Sequence, residues 1–165
     1  MAFVFLGLGS NQGNRMVYLL GALENISRDI GVIQSHSSVY QSEAWGYDSE
    51  NDFLNMVVFV STNLLPDELI LVCKSIEAKA GRVKDDAPQG YQDRTLDIDI
   101  LFYDALVLST EKLTIPHPKM AERKFVLTPL VEIAPDWEHP VQKKSCGELL
   151  RVCLDTTKIS IITSL

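Results

Sequence analysis

An α+β fold, in which helices pack on an antiparallel β-sheet, is predicted by three features of the 165-residue sequence. Two segments repeat apolar residues at helical spacing, and four segments are apolar or β-branched in the manner of strands. These segments follow one another in the order βαββαβ, which is typical of a ferredoxin-like sheet with its helices on one face. We therefore expect a ferredoxin-like core with extra helical segments C-terminal to it.

The first three elements come from the N-terminal part of the chain. Residues 2–8 are mostly apolar and predict a buried strand, and a turn is expected over residues 9–14. Residues 32–41 are rich in Val, Ile, Ser and Tyr and predict the second strand. Between them, Gly31 stands where a glycine often caps a helix C terminus. The helix itself is predicted by apolar residues that share one face: Met16, Leu19, Leu20, Leu23, Ile26 and Ile30.

The other three elements follow in the same way. Residues 53–62 contain the strongest strand pattern of the chain. Pro66 suits the first turn of a second helix, and a helix end is predicted at Gly81. After a polar loop over residues 83–93, residues 96–103 predict the fourth strand.

The C-terminal part gives weaker signals. Prolines divide residues 105–140 into short pieces, and residues 147–154 predict a last helix. Neither repeats nor a Pro/Gly/Ser-rich linker divide the chain, so we expect one domain over residues 1–165. The longest apolar stretch, residues 1–9, is far shorter than the roughly 20 residues of a membrane span. Because there are only three cysteines, we expect free thiols and a cytoplasmic protein.

The charge distribution limits the class of partner. A net charge of −7 argues against a nucleic-acid-binding protein, since binding to phosphate backbones needs an excess of Lys and Arg. Residues 1–73 contain only Arg15 and Arg28 as basic residues, whereas basic and acidic residues are equally frequent over residues 74–124. This mixture could hold a small polyanion together with a metal ion.

The most informative segment is residues 94–101, Arg-Thr-Leu-Asp-Ile-Asp-Ile-Leu. In a strand, Asp97 and Asp99 point to one face and the apolar residues point to the other. Two carboxylates about 7 Å apart repel each other, so a divalent cation with oxygen ligands is their natural partner. The alternative is a strand edge whose acids are simply solvated.

Cationic side chains lie on both sides of this segment in the sequence. Arg82 and Arg94 precede the acids, whereas His117 and Arg123 follow them. Guanidinium groups beside carboxylates and metal suit a nucleoside triphosphate. Exposed surface arginines are the alternative, and His117 could instead be hydrogen-bonded within the turn Ile115–Pro118.

Three further features have both a functional and a structural interpretation. Residues 7–13 are glycine-rich but lack the spacing of phosphate-binding loops, so a structural turn is favoured. Cys73 lies on an apolar helical stripe and is interpreted as core packing. Some side chains could bind a heteroaromatic ring, although aromatic residues more often fill a core: Trp45, Phe53, Asn55, Tyr91 and Phe125.

Taken together, several segments closely resemble the 6-hydroxymethyl-7,8-dihydropterin pyrophosphokinase family. They occur in the family's order and spacing from about residue 5 to about residue 140, and the strand with two aspartates after an arginine is highly specific. The matching segments are Leu8–Asn11, Asp52–Asn55, Ile76–Glu77 with Gly81–Arg82, Arg94–Ile100, Ile115–Pro118 and Arg123–Pro135.

The resemblance implies transfer of the terminal diphosphate of ATP, the co-substrate, to the hydroxymethyl group of the pterin, with release of AMP. It implies that Arg82, Arg94, Asp97 and Asp99 are catalytic and that Asp97 and Asp99 hold two Mg²⁺ ions. The implied ATP-binding residues are Arg82, Lys84, Arg94, Ile100, Lys112, Thr114, His117 and Arg123. The implied pterin-binding residues are Ser42, Glu43, Ala44, Trp45, Gly46, Phe53, Asn55, Tyr91 and Phe125.

Four of these positions depart from the family's usual residues. Phe53 and Tyr91 stand where tyrosine and tryptophan are frequent, and both keep a flat face. Lys84 stands where arginine is frequent and lacks the bidentate fork, and Ala44 stands where proline is frequent. The resemblance also implies loops that close over the substrates at residues 10–14, 43–52 and 83–93.

Two other classes remain open at this point. A nucleotidyl transferase of the polymerase or cyclase kind also uses two acids on such a sheet, but template binding needs a basic surface. A small-molecule sensor of the same fold would need neither the Asp97–Asp99 pair nor Arg82 and Arg94. We expect a monomer whose partners are ATP and the pterin, and neither nucleic acid nor a membrane.

Overall fold

The structure, a computed structural model, describes residues 1–82 and 92–163. Most of the sheet and the two helices that connect its strands lie in the N-terminal two thirds of the chain. These elements are β1 (Ala2–Ser10), α1 (Arg15–Asp29), β2 (Gly31–His36), β3 (Val39–Ser42), β4 (Phe53–Thr62), α2 (Pro66–Lys79) and β5 (Asp97–Tyr103). The predicted βαββαβ order is confirmed, with β2 and β3 together taking the place of the second strand.

The C-terminal part folds into short elements. They are the ribbon of β6 (Leu108–Ser109) and β7 (Thr114–Ile115), a 3-10 turn (Met120–Glu122), the helices α3 (Lys124–Ile133) and α4 (Cys146–Val152), and the strand β8 (Ile159–Thr163). The predicted last helix is present as α4. The expectation that prolines divide this region into short pieces missed α3, which contains Pro129 and keeps its helical form because its apolar side is buried.

The main sheet is antiparallel and has the strand order β5-β1-β4-β3-β8, with β2 also paired to β4. The central strand β1 pairs with β4 without interruption, from Ala2 opposite Thr62 to Ser10 opposite Leu54. On its other side, β1 pairs with β5. The predicted α+β class with an antiparallel sheet is therefore confirmed.

The second predicted strand is interrupted at Ser37. Its backbone N–H donates to the Val57 carbonyl oxygen (2.9 Å), and its hydroxyl accepts from the Val57 N–H (2.9 Å) and donates to the Ser38 carbonyl oxygen (2.8 Å). The Ser37 hydroxyl thus replaces a backbone group in the pairing with β4. The prediction of one continuous strand over residues 32–41 is wrong for this reason.

Helices cover both faces of the sheet. On one face, α1 and α2 pack on a large apolar cluster that includes Leu6 and Ile98. On the other face, α3 and α4 pack on a smaller cluster that includes Phe5 and Phe102, with Trp137 against Phe5 at a ring distance of 4.8 Å. The expectation that the two helices of the core lie on one face is therefore confirmed, and the C-terminal helices form a layer on the other face.

A bulge in β5 changes which residues face the second layer. Leu6 pairs with Ile100 and Phe5 pairs with Phe102, so Leu101 is an extra residue between the two pairs. Leu101 and Phe102 both pack in the cluster under α3 and α4. Residues of β5 that precede the bulge keep the simple alternation of a strand.

Two predicted helix ends have different outcomes. Gly81 follows the end of α2 with φ +82°, as expected for a glycine at a helix C terminus. Gly31 is instead the first residue of β2, and the cap of α1 is Ile30 in a right-handed conformation. A Cβ at Gly31 would lie 2.1 Å from the Ser61 carbonyl oxygen, so this glycine allows β2 to approach β4.

Helix α3 is attached to β3 by the carboxylate of Glu132. This carboxylate accepts hydrogen bonds from the Ser38 N–H (2.9 and 3.1 Å), the Ser38 hydroxyl (2.9 Å) and the Tyr40 hydroxyl (2.7 Å). The attachment fixes the C-terminal end of α3 against the sheet. Throughout the described parts of the chain, the helices are too short or too polar to cross a membrane.

Candidate active site

A cleft of about 240 Å³ lies on the second face of the sheet, beside the N-terminal end of α3. Its lining contains a charged set and a neutral set of side chains. The charged set is Arg94, Asp97, Asp99, His117 and Arg123, and the neutral set is Ser42, Trp45, Tyr47, Phe53, Asn55 and Phe125. Thus β5, β4, the end of β3 and the start of α3 bring together residues that are up to about 80 positions apart in the sequence.

Glycines of β1 form part of the floor of this cleft. Gly7 and Gly9 line it, and a Cβ at Gly9 would lie 3.3 Å from the Asn55 Oδ1 and 3.6 Å from the Phe53 ring. Residues 7–10 belong to β1, so the expected turn begins only after Ser10. The interpretation of this glycine-rich segment as a turn is therefore wrong for its first half, where small residues leave room in the cleft.

The two aspartates of β5 face the cleft, whereas Ile98 and Ile100 are buried in the core on the opposite face. Asp97 is held tightly: one carboxylate oxygen accepts from Arg82 (2.8 Å) and the other from Arg94 (2.9 Å). Asp99 is held loosely, because the nearest nitrogens of His117 and Arg123 are both 3.7 Å away from its carboxylate. The predicted alternation is confirmed, and the two acids have different surroundings.

Burial and the nearby Asp97 carboxylate raise the pKa of Asp99 above its ordinary value. Asp99 is surrounded by protein except toward the cleft, where about one third of its side chain is exposed. A carboxyl group in this position is costly to ionise without a compensating cation.

Glu77 of α2 lies behind Asp97. Its carboxylate accepts from the Ile98 N–H (2.8 Å) and pairs with Arg82, which also binds Asp97. Burial raises the pKa of Glu77. Sequence reasoning gave Glu77 no role in the site, although an acid four positions after Cys73 on a buried helical stripe was a usable signal.

Asp97 and Asp99 are the residues that fit a divalent cation. They offer carboxylate oxygens, which Mg²⁺ prefers, and the groups that face Asp99 lie beyond hydrogen-bond distance. Within residues 1–82 and 92–163, no three His, Cys, Asp or Glu side chains are placed to share one metal. Mg²⁺ is usually bound by one or two carboxylates together with water and substrate phosphates. The pair therefore fits ions that arrive with a nucleotide.

His117 both forms a hydrogen bond within its proline turn and faces the cleft, which are the two alternatives that the sequence left open. Its Nδ1 accepts from the Lys119 N–H (3.2 Å) within the proline turn, and its Nε2 faces the Asp99 carboxylate. Burial, together with the nearby Arg123 charge, lowers the pKa of His117 to about 4. The ring is therefore neutral near pH 7, and the bond at Nδ1 leaves the proton on Nε2, directed into the cleft.

The neutral set surrounds a flat space beside the charges. The Asn55 amide donates to the Ser42 hydroxyl (2.8 Å), and both residues are buried. The Arg123 guanidinium lies 4.8 Å from the centre of the Trp45 ring and 5.7 Å from that of the Phe125 ring. Arg123 therefore connects the aromatic side chains to the acid pair.

Some predicted site residues lie elsewhere. The Ile100 side chain is in the core, so only its backbone is available at the edge of β5. Lys112 and Thr114 lie on or beside the β6–β7 ribbon and do not line the cleft.

Other predicted residues lie at the cleft or next to it. Arg82 does not line the cleft itself but pairs with Asp97, which does. Glu43 lines the cleft, whereas the neighbouring Ala44 and Gly46 do not. Lys84 and Tyr91 are outside the described residues.

Comparison with known proteins identifies the family. Residues 5–135 match the model of the family described as 7,8-dihydro-6-hydroxymethylpterin-pyrophosphokinase (HPPK). The chain belongs to this family. The prediction from sequence, of both the family and its pyrophosphokinase activity, is confirmed.

Relatives and solved structures agree with this assignment. The chain is 43% identical over 148 residues to an Aquifex aeolicus 2-amino-4-hydroxy-6-hydroxymethyldihydropteridine pyrophosphokinase, covering 90% of each chain. It is 42% identical over 137 residues to the protein of the same name from Methylorubrum extorquens, covering 82% of this chain and 85% of that one.

The fold is also similar to part of a solved structure. A Plasmodium falciparum HPPK-DHPS crystal structure with pteroate matches with a TM-score of 0.75 and 17% identity, over 91% of this chain and 44% of that chain. The chain thus spans less than half of that protein. At this level of identity, the similarity supports the fold.

Proposed function

We propose that this cleft transfers the terminal diphosphate of ATP to the hydroxymethyl group of 6-hydroxymethyl-7,8-dihydropterin, as a step of folate synthesis. The observation that carries the proposal is the joining of an acid pair with arginines to a neutral, aromatic-lined space in one cleft. The charged part suits a triphosphate and the neutral part suits a flat ring with amide-like edges. Family membership makes the pterin the ring in question.

The pterin is proposed to bind at the neutral set. Phe53 and Phe125 supply flat faces, and the Asn55 amide, oriented by Ser42, supplies hydrogen bonds to the ring edge. Backbone groups of residues 42–46 are proposed to complete the recognition of the ring edge. Lys84 and Tyr91 keep their expected roles at the phosphates and the ring, respectively, as part of this proposal.

The triphosphate is proposed to bind at the charged set. Arg82 and Arg94 both pair with Asp97, so phosphate oxygens must compete with that carboxylate for the two guanidinium groups. Arg123 and the Nε2–H of His117 add donors at the Asp99 side of the cleft. The outer edge of β5, with Ile100, Lys112 and Thr114 nearby, is proposed to bind the nucleoside.

Asp97 and Asp99 are proposed to hold two Mg²⁺ ions with the nucleotide. When bound, these ions would neutralise charge on the triphosphate and on the departing phosphate. If Asp97 holds a cation, Arg82 and Arg94 can pair with phosphate oxygens, so that the carboxylate and both guanidinium groups keep partners of opposite charge.

The residues of the chain mainly position the reactants for an in-line displacement. The hydroxymethyl oxygen loses its proton to solvent and forms a bond to the β-phosphorus, and the bond from the β-phosphorus to the α–β bridging oxygen breaks. That oxygen leaves with AMP, so the products are AMP and the pterin diphosphate. Phosphoryl chemistry of this kind depends on alignment and charge stabilisation, which the arginines and acids of the cleft can supply.

We further propose that the chain acts as one pyrophosphokinase domain over residues 1–165, as a monomer in the cytoplasm. Its partners in this proposal are the two substrates. Size-exclusion chromatography with light scattering checks the monomer directly.

The reaction is tested by product analysis with ATP, Mg²⁺ and 6-hydroxymethyl-7,8-dihydropterin. We expect AMP and the pterin diphosphate in equal amounts, measured by ³¹P NMR and chromatography. The matched control is 6-methyl-7,8-dihydropterin, which has the same ring without the acceptor hydroxyl and should yield no pterin diphosphate. ADP as the main product would overturn the diphosphoryl assignment, and equal turnover without Mg²⁺ would remove the role of the acid pair.

A further inference from the structure

The carboxylate of Asp93 is the centre of a hydrogen-bond network beside the cleft. One oxygen accepts from the Asn11 amide (2.7 Å), the Ser49 hydroxyl (2.7 Å) and the Tyr47 hydroxyl (3.2 Å). The other oxygen accepts from the Asn51 amide (2.7 Å). One side chain therefore joins the end of β1 to three residues of the loop after β3.

The same network reaches the charged set through Asn11. The Asn11 Oδ1 accepts from the Arg94 N–H (2.7 Å), and the Asn11 N–H donates to the Arg94 carbonyl oxygen (3.0 Å). Asn11 is 2% exposed, so these bonds are protected from water. The loop over residues 47–51 is thus tied, through two side chains, to the backbone of a proposed phosphate-binding arginine.

The protonation states suit this arrangement. Burial raises the pKa of Tyr47 to about 12, so its hydroxyl keeps its proton, accepts from Asn11 and donates to Asp93. Hydrogen bonds from Asn51 and Ser49 lower the pKa of Asp93, so its carboxylate is ionised near pH 7. An ionised carboxylate accepts all four bonds, whereas an asparagine would direct an N–H₂ group at the donors.

Tyr47 is the member of the network that lines the cleft, together with Trp45 two positions before it. We propose that Asp93 is a positioning residue that holds the loop over residues 47–51 in register with Arg94 and so sets the affinity for the pterin. The inference rests on the proposed function for the identity of the ring, but the loop contacts themselves are independent of it.

The main test is Asp93→Asn, which keeps the shape of the side chain and removes its charge. Because hydrogen bonds to a charged group are lost, we expect the KM for the pterin to rise by about tenfold or more, while binding of a non-hydrolysable ATP analogue alone changes by less than about twofold. Hydrogen exchange of residues 43–52 should become faster in this variant. The matched control is Asp48→Asn, which makes the same charge change at an exposed position of the same loop.

Two further variants separate positioning from a general loss of structure. Tyr47→Phe should raise the pterin KM by itself. The double variant Asp93→Asn with Tyr47→Phe should lose less binding free energy for the pterin than the two single variants lose in sum, since both residues act through one network. If Asp93→Asn fails to fold, Ser49→Ala and Asn51→Ala remove two of the donors at the rim, and their pterin KM values should rise in the same direction.

The outcomes are distinguishable from failure of the proposed reaction. Wild-type protein that forms no AMP would overturn the reaction, and hydrogen exchange would still report whether Asp93 orders the loop. With an active wild type, an unchanged pterin KM in Asp93→Asn would overturn the positioning role. An equal loss of affinity for pterin and ATP analogue would also overturn it, because that result indicates general destabilisation.

Discussion

The two sets of residues that line the cleft are organised in different ways. The charged set is held by mutual ion pairs, in which Asp97 occupies two arginines at 2.8 and 2.9 Å. The neutral set is held by packing and by hydrogen bonds, from Asn55 to Ser42 at 2.8 Å and from Tyr47 to Asp93 at 3.2 Å. In the proposed function, a phosphate therefore exchanges with existing ion-pair partners, whereas a flat ring contacts neutral side chains. Changes in the charged set should alter the chemical step, and changes in the neutral set should alter binding.

The largest effect is expected from Asp97→Asn and Asp99→Asn. Each change removes a proposed metal ligand charge, so turnover should fall by at least about 100-fold. Measured without metal, the two variants should change the free energy of unfolding in opposite directions relative to wild type. Asp99→Asn relieves repulsion and should stabilise the fold, whereas Asp97→Asn breaks two ion pairs and should destabilise it.

Single-turnover rates with a magnesium titration, alongside thermal unfolding without metal, measure both quantities. Asp104→Asn provides a control at the end of the same strand, outside the cleft. Rates near wild type in either acid variant would show that the pair is a solvated part of the strand and that the charged set is misassigned.

A smaller effect is expected from Asn55→Ala and Phe125→Ala in the neutral set. Loss of the amide or of one ring face should weaken pterin binding by about tenfold in each case. Binding of ATP should be unchanged within about twofold, because neither side chain belongs to the charged set. Calorimetry with each ligand measures this, with the exposed Asn63→Ala as the matched control. Normal pterin affinity in both variants would place the ring elsewhere.

The smallest effect is expected away from the cleft, at Glu132. Burial alone would raise its pKa, but the hydrogen bonds from Tyr40 and Ser38 outweigh this and lower the pKa of Glu132. A carboxyl with a lowered folded pKa contributes stability above its unfolded pKa and loses that contribution as the pH falls through the folded value. Glu132→Gln should therefore destabilise the fold by about 1 kcal/mol at pH 7, given partial exposure.

The difference between Glu132→Gln and wild type should shrink as the pH falls below the ordinary pKa of a glutamate, because the wild-type carboxyl then becomes neutral as well. Denaturant unfolding at several pH values checks this, and turnover at pH 7 should stay near wild type. A stability difference that does not depend on pH would mean that the side chain acts by packing alone.

Local patterns predicted the elements whose signal lies in neighbouring residues. The strand β4 is an example because it is a run of apolar and β-branched residues, and the helix α2 is another because its apolar residues repeat at helical spacing. The break between β2 and β3 was not predictable in this way, because it depends on a bond between Ser37 and Val57 of another strand. In the second helical layer, α3 was missed because its sequence contains Pro129, although burial of its apolar side keeps it helical.

In the candidate site too, residues that a local pattern connects were predictable from the sequence, and residues that only the fold brings together were not. Asp97 and Asp99 were predictable because their spacing of two places both on one face of a strand. Asp93 and Asn11 are 82 positions apart, and no local pattern connects them. The resemblance to a family supplied the proposed pterin-binding residues, but the network around Tyr47 depends on the folded chain.

The junction between α1 and β2 has a consequence for how this chain can vary in length. One residue, Ile30, separates the helix from the strand, and Gly31 places the strand directly against Ser61. An inserted residue here would exchange the inward and outward faces of β2 or rotate α1 by about 100°. Insertions and deletions are therefore tolerated poorly at this junction and are best accommodated in surface loops that bear no cleft residue.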